Sequence, residues 1–183
     1  MLLMKMDIQE SIEIPEGITA TYENGILTVK GSSGEVQRKL RQPRISIAVK
    51  DGSIVFEAKQ ATQREKRHIF TLKSHAKNML RGAAEGHTYR LKVCSGHFPM
   101  NVSVSGQKLV VKNFLGEAVP RELDLKHGPQ VKVDGDIITV SGVDKELTGQ
   151  VAADIEQLTR ITGRDRRIFQ DGLYIIEKDG KVL

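Results

Sequence analysis

The chain writes nearly the same pattern twice, and that repetition constrains its fold more than any other feature. Asn24-Gly25-Ile26-Leu27-Thr28-Val29-Lys30-Gly31-Ser32-Ser33-Gly34-Glu35 in the first half is answered by Leu109-Val110-Val111-Lys112-Asn113-Phe114-Leu115-Gly116-Glu117 in the second. Gly34-Glu35 falls on Gly116-Glu117, an offset of 116 − 34 = 82 in a chain of 183 residues. Asp51-Gly52-Ser53-Ile54-Val55 meets Asp134-Gly135-Asp136-Ile137-Ile138 at an offset of 134 − 51 = 83. Solenoid units are shorter and need several copies. Two tandem copies of one small domain fit better, and each half is long enough to bury its own modest core.

Turn signals recur in both halves. Asn24-Gly25 stands between Thr19-Ala20-Thr21-Tyr22 and Ile26-Leu27-Thr28-Val29, and this dipeptide accepts the positive φ angles of a tight hairpin turn. Asp51-Gly52, Ser105-Gly106 and Asp134-Gly135 divide further pairs of short apolar runs. Each half also carries one helix. Thr62-Gln63-Arg64-Glu65 is a capping-box pattern, Ile69, Leu72, Ala76 and Leu80 follow at helical spacing, and Gly82 supplies a stop. The second helix starts near Asp144, aligns Leu147, Val151, Ile155 and Leu158, and ends by Gly163. This predicts an α+β fold used twice, each copy a small, mostly antiparallel sheet packed against one helix. The first domain is expected over residues 1–82 and the second over 83–183, with the hinge at residues 81–86.

The net charge of +5 favours a polyanionic partner. Residues 1–82 carry 14 Lys and Arg against 9 Asp and Glu, whereas residues 83–183 carry 14 of each. Charge in the second half is instead concentrated, with Arg160, Arg164, Arg166 and Arg167 inside one short stretch. Arg presents a planar fork that binds two phosphate oxygens at once, and Gly163 lets the backbone approach closely. One cation would satisfy the carbonyl end of the second helix; four imply more. At phosphate range, four neighbouring charges outweigh a domain total screened beyond about 8 Å. Phe169 and Tyr174 flank Asp171-Gly172, either as stacking platforms or as part of a final core strand. On the first helix Lys66, Lys73, Lys77 and Arg81 share a face, either a solvated exterior or a contact surface.

Catalytic signatures are missing. The single cysteine, Cys94, excludes an intrachain disulfide and fits a reducing compartment. Cys94 and His97 make half a zinc site at most, since His68, His75, His87 and His127 are dispersed. Cys94 lies in an alternating apolar stretch and reads as core, with a nucleophilic role as the distant alternative. No phosphate-binding loop or nucleophile elbow occurs. No apolar run has membrane-span length, and the start lacks a signal-peptide pattern. The expectation is a cytoplasmic protein with no catalytic residue, metal, cofactor or membrane partner.

Three stretches carry a resemblance. They are Gly96-His97-Phe98-Pro99-Met100-Asn101-Val102, Val111-Lys112-Asn113-Phe114-Leu115-Gly116-Glu117, and Arg164-Asp165 through Arg167, Phe169, Asp171-Gly172-Leu173-Tyr174-Ile175 and Lys178. Together they resemble the L6 family of large-subunit ribosomal proteins, in its archaeal and eukaryotic form. Val29-Lys30-Gly31 with Gly34 is similar to the family's first-half loop, but Ser32-Ser33 stands where many members have Pro-Arg, so no RNA contact is carried onto that loop. The resemblance implies two similar α+β domains, no catalysis, no cofactor, and a place in the large ribosomal subunit beside neighbouring ribosomal proteins. It also implies rRNA binding near the sarcin–ricin loop and the GTPase-associated region, with translational GTPases nearby. The rRNA-facing residues it implies are Gly96, His97, Phe98, Lys112, Arg164, Arg166, Arg167 and Lys178, and Arg160 joins them through the Arg cluster. The rival reading is a non-ribosomal RNA- or protein-binding tandem adaptor presenting Phe98, Phe114 and Leu115.

Overall fold

Short alternating stretches lay down six strands before the first helix: β1 Met6–Glu13, β2 Thr19–Glu23, β3 Ile26–Gly31, β4 Gly34–Lys39, β5 Ser46–Lys50 and β6 Ser53–Ala61, then α1 Gln63–Ala84. The structure, a computed structural model, describes residues 5–50, 52–125 and 128–183. The chain divides into two compact units, residues 1–86 and 87–183. In the first unit the antiparallel strands form two sheets, ordered β1-β6-β5 and β2-β3-β4. Asn24 and Gly25, at φ of +52° and +82°, close the β2–β3 hairpin as their dipeptide predicts. Leu27 and Val29 of β3 are fully buried, as are Ile54, Phe56 and, on α1, Ile69 and Ala76.

The capping box of α1 forms: the Thr62 amide donates to Glu65 Oε2 at 2.9 Å, and the Thr62 hydroxyl bonds the same carboxylate. Those bonds hold the Glu65 carboxyl down at about 2. Gly82 does not stop the helix. It is buried, the helix continues to Ala84, and the unit boundary falls accordingly later than the predicted 82/83 cut. The carbonyl end of α1 is closed by the β3–β4 turn. The Ser33 amide donates to Ala83 O at 3.0 Å, and the Ser32 and Ser33 hydroxyls donate to Ala84 O at 2.8 and 3.0 Å. Gly31 permits this approach, because a Cβ there would lie 2.4 Å from Ala83 O. The Gly31–Gly34 turn is therefore a helix cap. On the basic face, Lys73 pairs with Glu10 at 2.6 Å and Arg81 with Glu85 at 3.7 Å, so part of that face serves the unit itself.

The second unit contains β7 His87–Cys94, β8 Asn101–Ser105, β9 Lys108–Lys112, β10 Arg121–Asp124, β11 Gln130–Asp134, β12 Ile137–Gly142, α2 Lys145–Leu158, β13 Gly172–Lys178 and β14 Lys181–Val182. Its sheets are ordered β10-β9-β8 and β11-β12-β7-β13-β14, all antiparallel. Strand for strand, β7-β12-β11 repeats β1-β6-β5 and β8-β9-β10 repeats β2-β3-β4. Leu109 and Val111 of β9 are fully buried like Leu27 and Val29, at the same offset of 109 − 27 = 82. The hairpin turns here are Gly106-Gln107 and Gly135-Asp136, one residue beyond the predicted dipeptides, because Ser105 pairs with Lys108 and Asp134 with Ile137. Of the predicted Asp51-Gly52 turn, Asp51 lies outside the described residues, as does His127; Gly52 has φ +71°.

Two additions distinguish the second unit. Residues 32–33 alone join β3 to β4, whereas residues 113–120 join β9 to β10. Gly116-Glu117 therefore lie in a connection, not on a strand as Gly34-Glu35 do. The other addition is the β13–β14 hairpin, which pairs with β7 on the edge away from β12.

Asp144 caps α2 by accepting from the Glu146 amide at 2.8 Å. The helix buries Thr148, Val151, Ala152 and Ile155, while Leu147, predicted on the buried stripe, is exposed. It ends at Leu158, well short of Gly163, so all four arginines lie beyond it. No helix among the described residues is long and apolar enough to cross a membrane.

Candidate nucleic-acid interface

The antiparallel pairing of β7 with β13 sets Cys94 opposite Gly172, so Asp171 faces the connection that leaves β7. Asp171 is 1% exposed. Its Oδ1 accepts from the Gly96 amide at 2.6 Å and the His97 amide at 2.9 Å, and its Oδ2 lies 2.5 Å from His97 Nδ1. Burial alone would raise this carboxyl's pKa, but the bonds from His97 and Gly96 outweigh it and hold the group below its ordinary value. One buried carboxylate thus fixes the exposed loop that carries Gly96, His97 and Phe98.

The next layer is aromatic. The His97 ring stacks on Phe169, with centroids 4.7 Å apart and planes 20° from parallel. The Arg164 guanidinium lies 4.8 Å from the same Phe169 centroid. Phe169 is placed by a turn in which the Ile168 and Phe169 amides both donate to Asp165 O, at 3.1 and 2.9 Å. The Asp165 carboxylate accepts the Arg167 amide at 2.9 Å and the Arg167 Nη2 at 2.7 Å, which holds the Asp165 carboxyl low and raises the pKa of Arg167. Arg167 stays 89% exposed in its side chain, and its Nη1 donors have no part in that fork.

The long β9–β10 connection completes the surface. Phe98, 47% exposed, lies over Gly116, where a Cβ would come within 3.5 Å of its ring. Asn113, Leu115 and Gly116 all have positive φ, and Asn113 Nδ2 donates to Pro99 O at 3.0 Å. A leucine in the left-handed region costs on the order of 1 kcal/mol, so the turn is held by its surroundings. Arg121 is the brace. Its Nε and Nη2 grip Glu117 at 2.8 and 2.6 Å, its Nη1 donates to Leu158 O at 2.8 Å, and it lies 4.3 Å from the Phe114 centroid. Arg121 holds the Glu117 carboxyl low, burial opposes this, and the charge of Arg164 adds to the lowering. Phe114 is core, at 1% exposed, so of the rival patch only Phe98 and the half-buried Leu115 reach the surface.

The structure therefore brings Gly96, His97, Phe98 and Arg164 into one surface, joined by Arg167 through the Asp165 turn. Lys112 is exposed at the end of β9, opposite Asn101. Arg160 and Arg166 line a separate cleft at the end of α2. Lys178 is set apart at the far end of β13, six residues from Gly172 or about 20 Å along the strand. The organising residues Asp171, Asp165, Glu117 and Arg121 escape the residue reading because they act on neighbours, although three of them lie within the resembling stretches. Cys94 is half-buried and free, and among the described residues no group of His, Cys, Asp and Glu could hold a metal.

The chain matches the family described as Ribosomal protein L6 over residues 14–86 and again over 98–172, once in each unit. A relative, the large ribosomal subunit protein uL6 of Natronomonas pharaonis, is 45% identical over 170 residues, which cover 93% of this chain and 96% of the relative. With the match repeated once per unit and the relative aligned almost end to end, the chain belongs to the ribosomal protein L6 family.

Proposed function

We propose that this protein, a structural constituent of the large ribosomal subunit and not an enzyme, grips large-subunit rRNA through the second unit, near the sarcin–ricin loop and the GTPase-associated region. The observation that carries the reading is convergence. Three segments far apart in sequence, around His97, Gly116 and Arg164, are drawn together by Asp171 and Arg121 into one exposed surface bearing cations, a stacked imidazole and an open phenyl ring. Cations neutralise phosphates and release counterions, while shaped loops and ring faces suit unstacked or irregular RNA. Neighbouring ribosomal proteins share the subunit, and translational GTPases work close to this surface in the cytoplasm.

Filter binding of the full chain to large-subunit rRNA over a salt series tests the proposal. Replacing Arg164 and Arg167 by Ala weakens binding and lowers the salt slope by about one per lost phosphate contact. An unchanged slope removes the Arg cluster from the interface. Chemical protection that misses the sarcin–ricin loop and its surroundings overturns the location.

A further inference from the structure

We infer that the cleft at the end of α2 is a pocket for one unstacked guanine nucleotide of rRNA, with Glu156 reading the base edge and Arg160 and Arg166 holding its phosphate. The inference rests on the rRNA reading above and names what this separate cleft takes in.

The cleft is about 390 Å³, within the range of small-ligand sites. Its floor is rigid because the last turn of α2 is stitched to β13. Leu173 N donates to Thr159 Oγ1 at 2.9 Å, and Ile175 N donates to Glu156 Oε1 at 3.1 Å. Gly172 allows this closeness: at φ +148°, a Cβ would stand 3.3 Å from Thr159 Oγ1. Tyr174, whose hydroxyl donates to Asp171 O at 3.3 Å, supplies an aromatic wall beside the apolar Leu173. Arg160 and Arg166 are exposed at the rim.

The charges are sorted by depth. A carboxylate has about four acceptor sites, so the single bond from Ile175 leaves Glu156 able to accept more. The carbonyl end of α2 adds negative potential on the same side, which repels a phosphate and attracts N–H groups. Among the four bases, only guanine offers two adjacent donors on its pairing edge, N1–H and the 2-amino group, matched to the two oxygens of a carboxylate. Adenine and cytosine set an acceptor beside their amine, and uracil flanks its single donor with two carbonyls. Unstacked RNA bases are read by this combination of ring stacking and edge hydrogen bonds.

The full chain is titrated with GMP, AMP, CMP and UMP while its amide spectrum is followed, in parallel with binding to large-subunit rRNA. GMP is expected to shift Leu173, Tyr174 and Ile175 saturably, and to bind about tenfold more tightly than the other three. Glu156→Gln keeps an acceptor for Ile175 N but puts an amide donor against the base, and it should erase the guanine preference. Equal shifts with all four nucleotides would mean a phosphate site only and overturn the inference, as would a Glu156→Gln variant that still prefers GMP. No GMP shift with rRNA binding intact sinks the pocket and spares the rRNA reading; loss of both sinks both.

Discussion

Asp171→Asn is the sharpest perturbation of the interface. The carboxylate accepts from two backbone amides and contacts one imidazole nitrogen, while lying 1% exposed. A hydrogen bond to a charged group contributes about 1.5–3 kcal/mol. Three such bonds do not add fully, because the 96–98 loop is exposed and its amides regain water once released. An asparagine can keep one oxygen on the two amides, but its NH₂ then faces His97 Nδ1, which accepts it only by giving up its proton and switching tautomer, and the charge of the acceptor is lost. The expected loss is about 2–4 kcal/mol, which for a unit of this size lowers the melting temperature by about 10 °C or more. The wild-type contribution is pH-dependent. Because the folded carboxyl sits below its ordinary 3.8, the stabilisation is full above that pH and disappears as the pH falls through the folded value. Calorimetry of the full chain over a pH series measures both effects, and amide exchange locates the loss, since Gly96 and His97 should exchange faster in the variant. A variant that melts within about 2 °C of wild type, with Gly96 still protected, would refute Asp171 as the organiser of the loop.

Gly31→Ala should cost about 1–3 kcal/mol in urea unfolding, because the new methyl meets Ala83 O at 2.4 Å with backbone on both sides; a neutral result would mean the α1 cap is loose. Thr62→Ala removes the hydroxyl that accepts from Arg64 N and bonds Glu65, while the backbone amide bond to Glu65 stays, a loss of about 1 kcal/mol at neutral pH. Glu65 titrates at about 2 in the fold against 4.5 unfolded, so that gap should narrow as pH falls from 4.5 toward 2, and urea midpoints that keep a constant gap would contradict it. Arg121→Ala leaves Glu117 and Leu158 O without their brace and should cost about 1–3 kcal/mol. It should also weaken rRNA binding with little change in salt slope, whereas a slope reduced by one would make Arg121 a direct phosphate contact.

The fold was legible where local chemistry decides it. Asn24-Gly25 turns where it should, Thr62 and Glu65 cap α1, and the buried leucine and valine of β3 recur in β9 at the predicted offset. Gly82 misled because a glycine inside a helix is tolerated when the helix packs closely, and here Gly82 is buried. Gly34-Glu35 and Gly116-Glu117 match as letters but not as structure, since pattern carries no measure of connection length. In the interface, the exposed cations were visible in the sequence. The carboxylates that place them were not, because a buried Asp171 satisfied by backbone amides has no periodicity to betray it. Only pairing in space, Cys94 against Gly172, brings Asp171 to His97.

The position of β7 between β12 and β13 also sets a timetable. The first unit closes on contacts among residues that leave the ribosome early, and it can finish folding while the rest is being made. The second unit cannot. Its opening strand waits for a partner that lies 173 − 93 = 80 residues downstream, in the pairing of Val93 with Leu173. At about 5–20 residues per second, one edge of β7 stays open for roughly 4–16 s after it is synthesised. The loop held by Asp171 stays loose for the same interval. A chain cut short by a premature stop before Asp171 would carry a folded first unit but not the loop surface proposed to bind rRNA. Completion of the second unit is thereby tied to translation having passed Asp171 and β13.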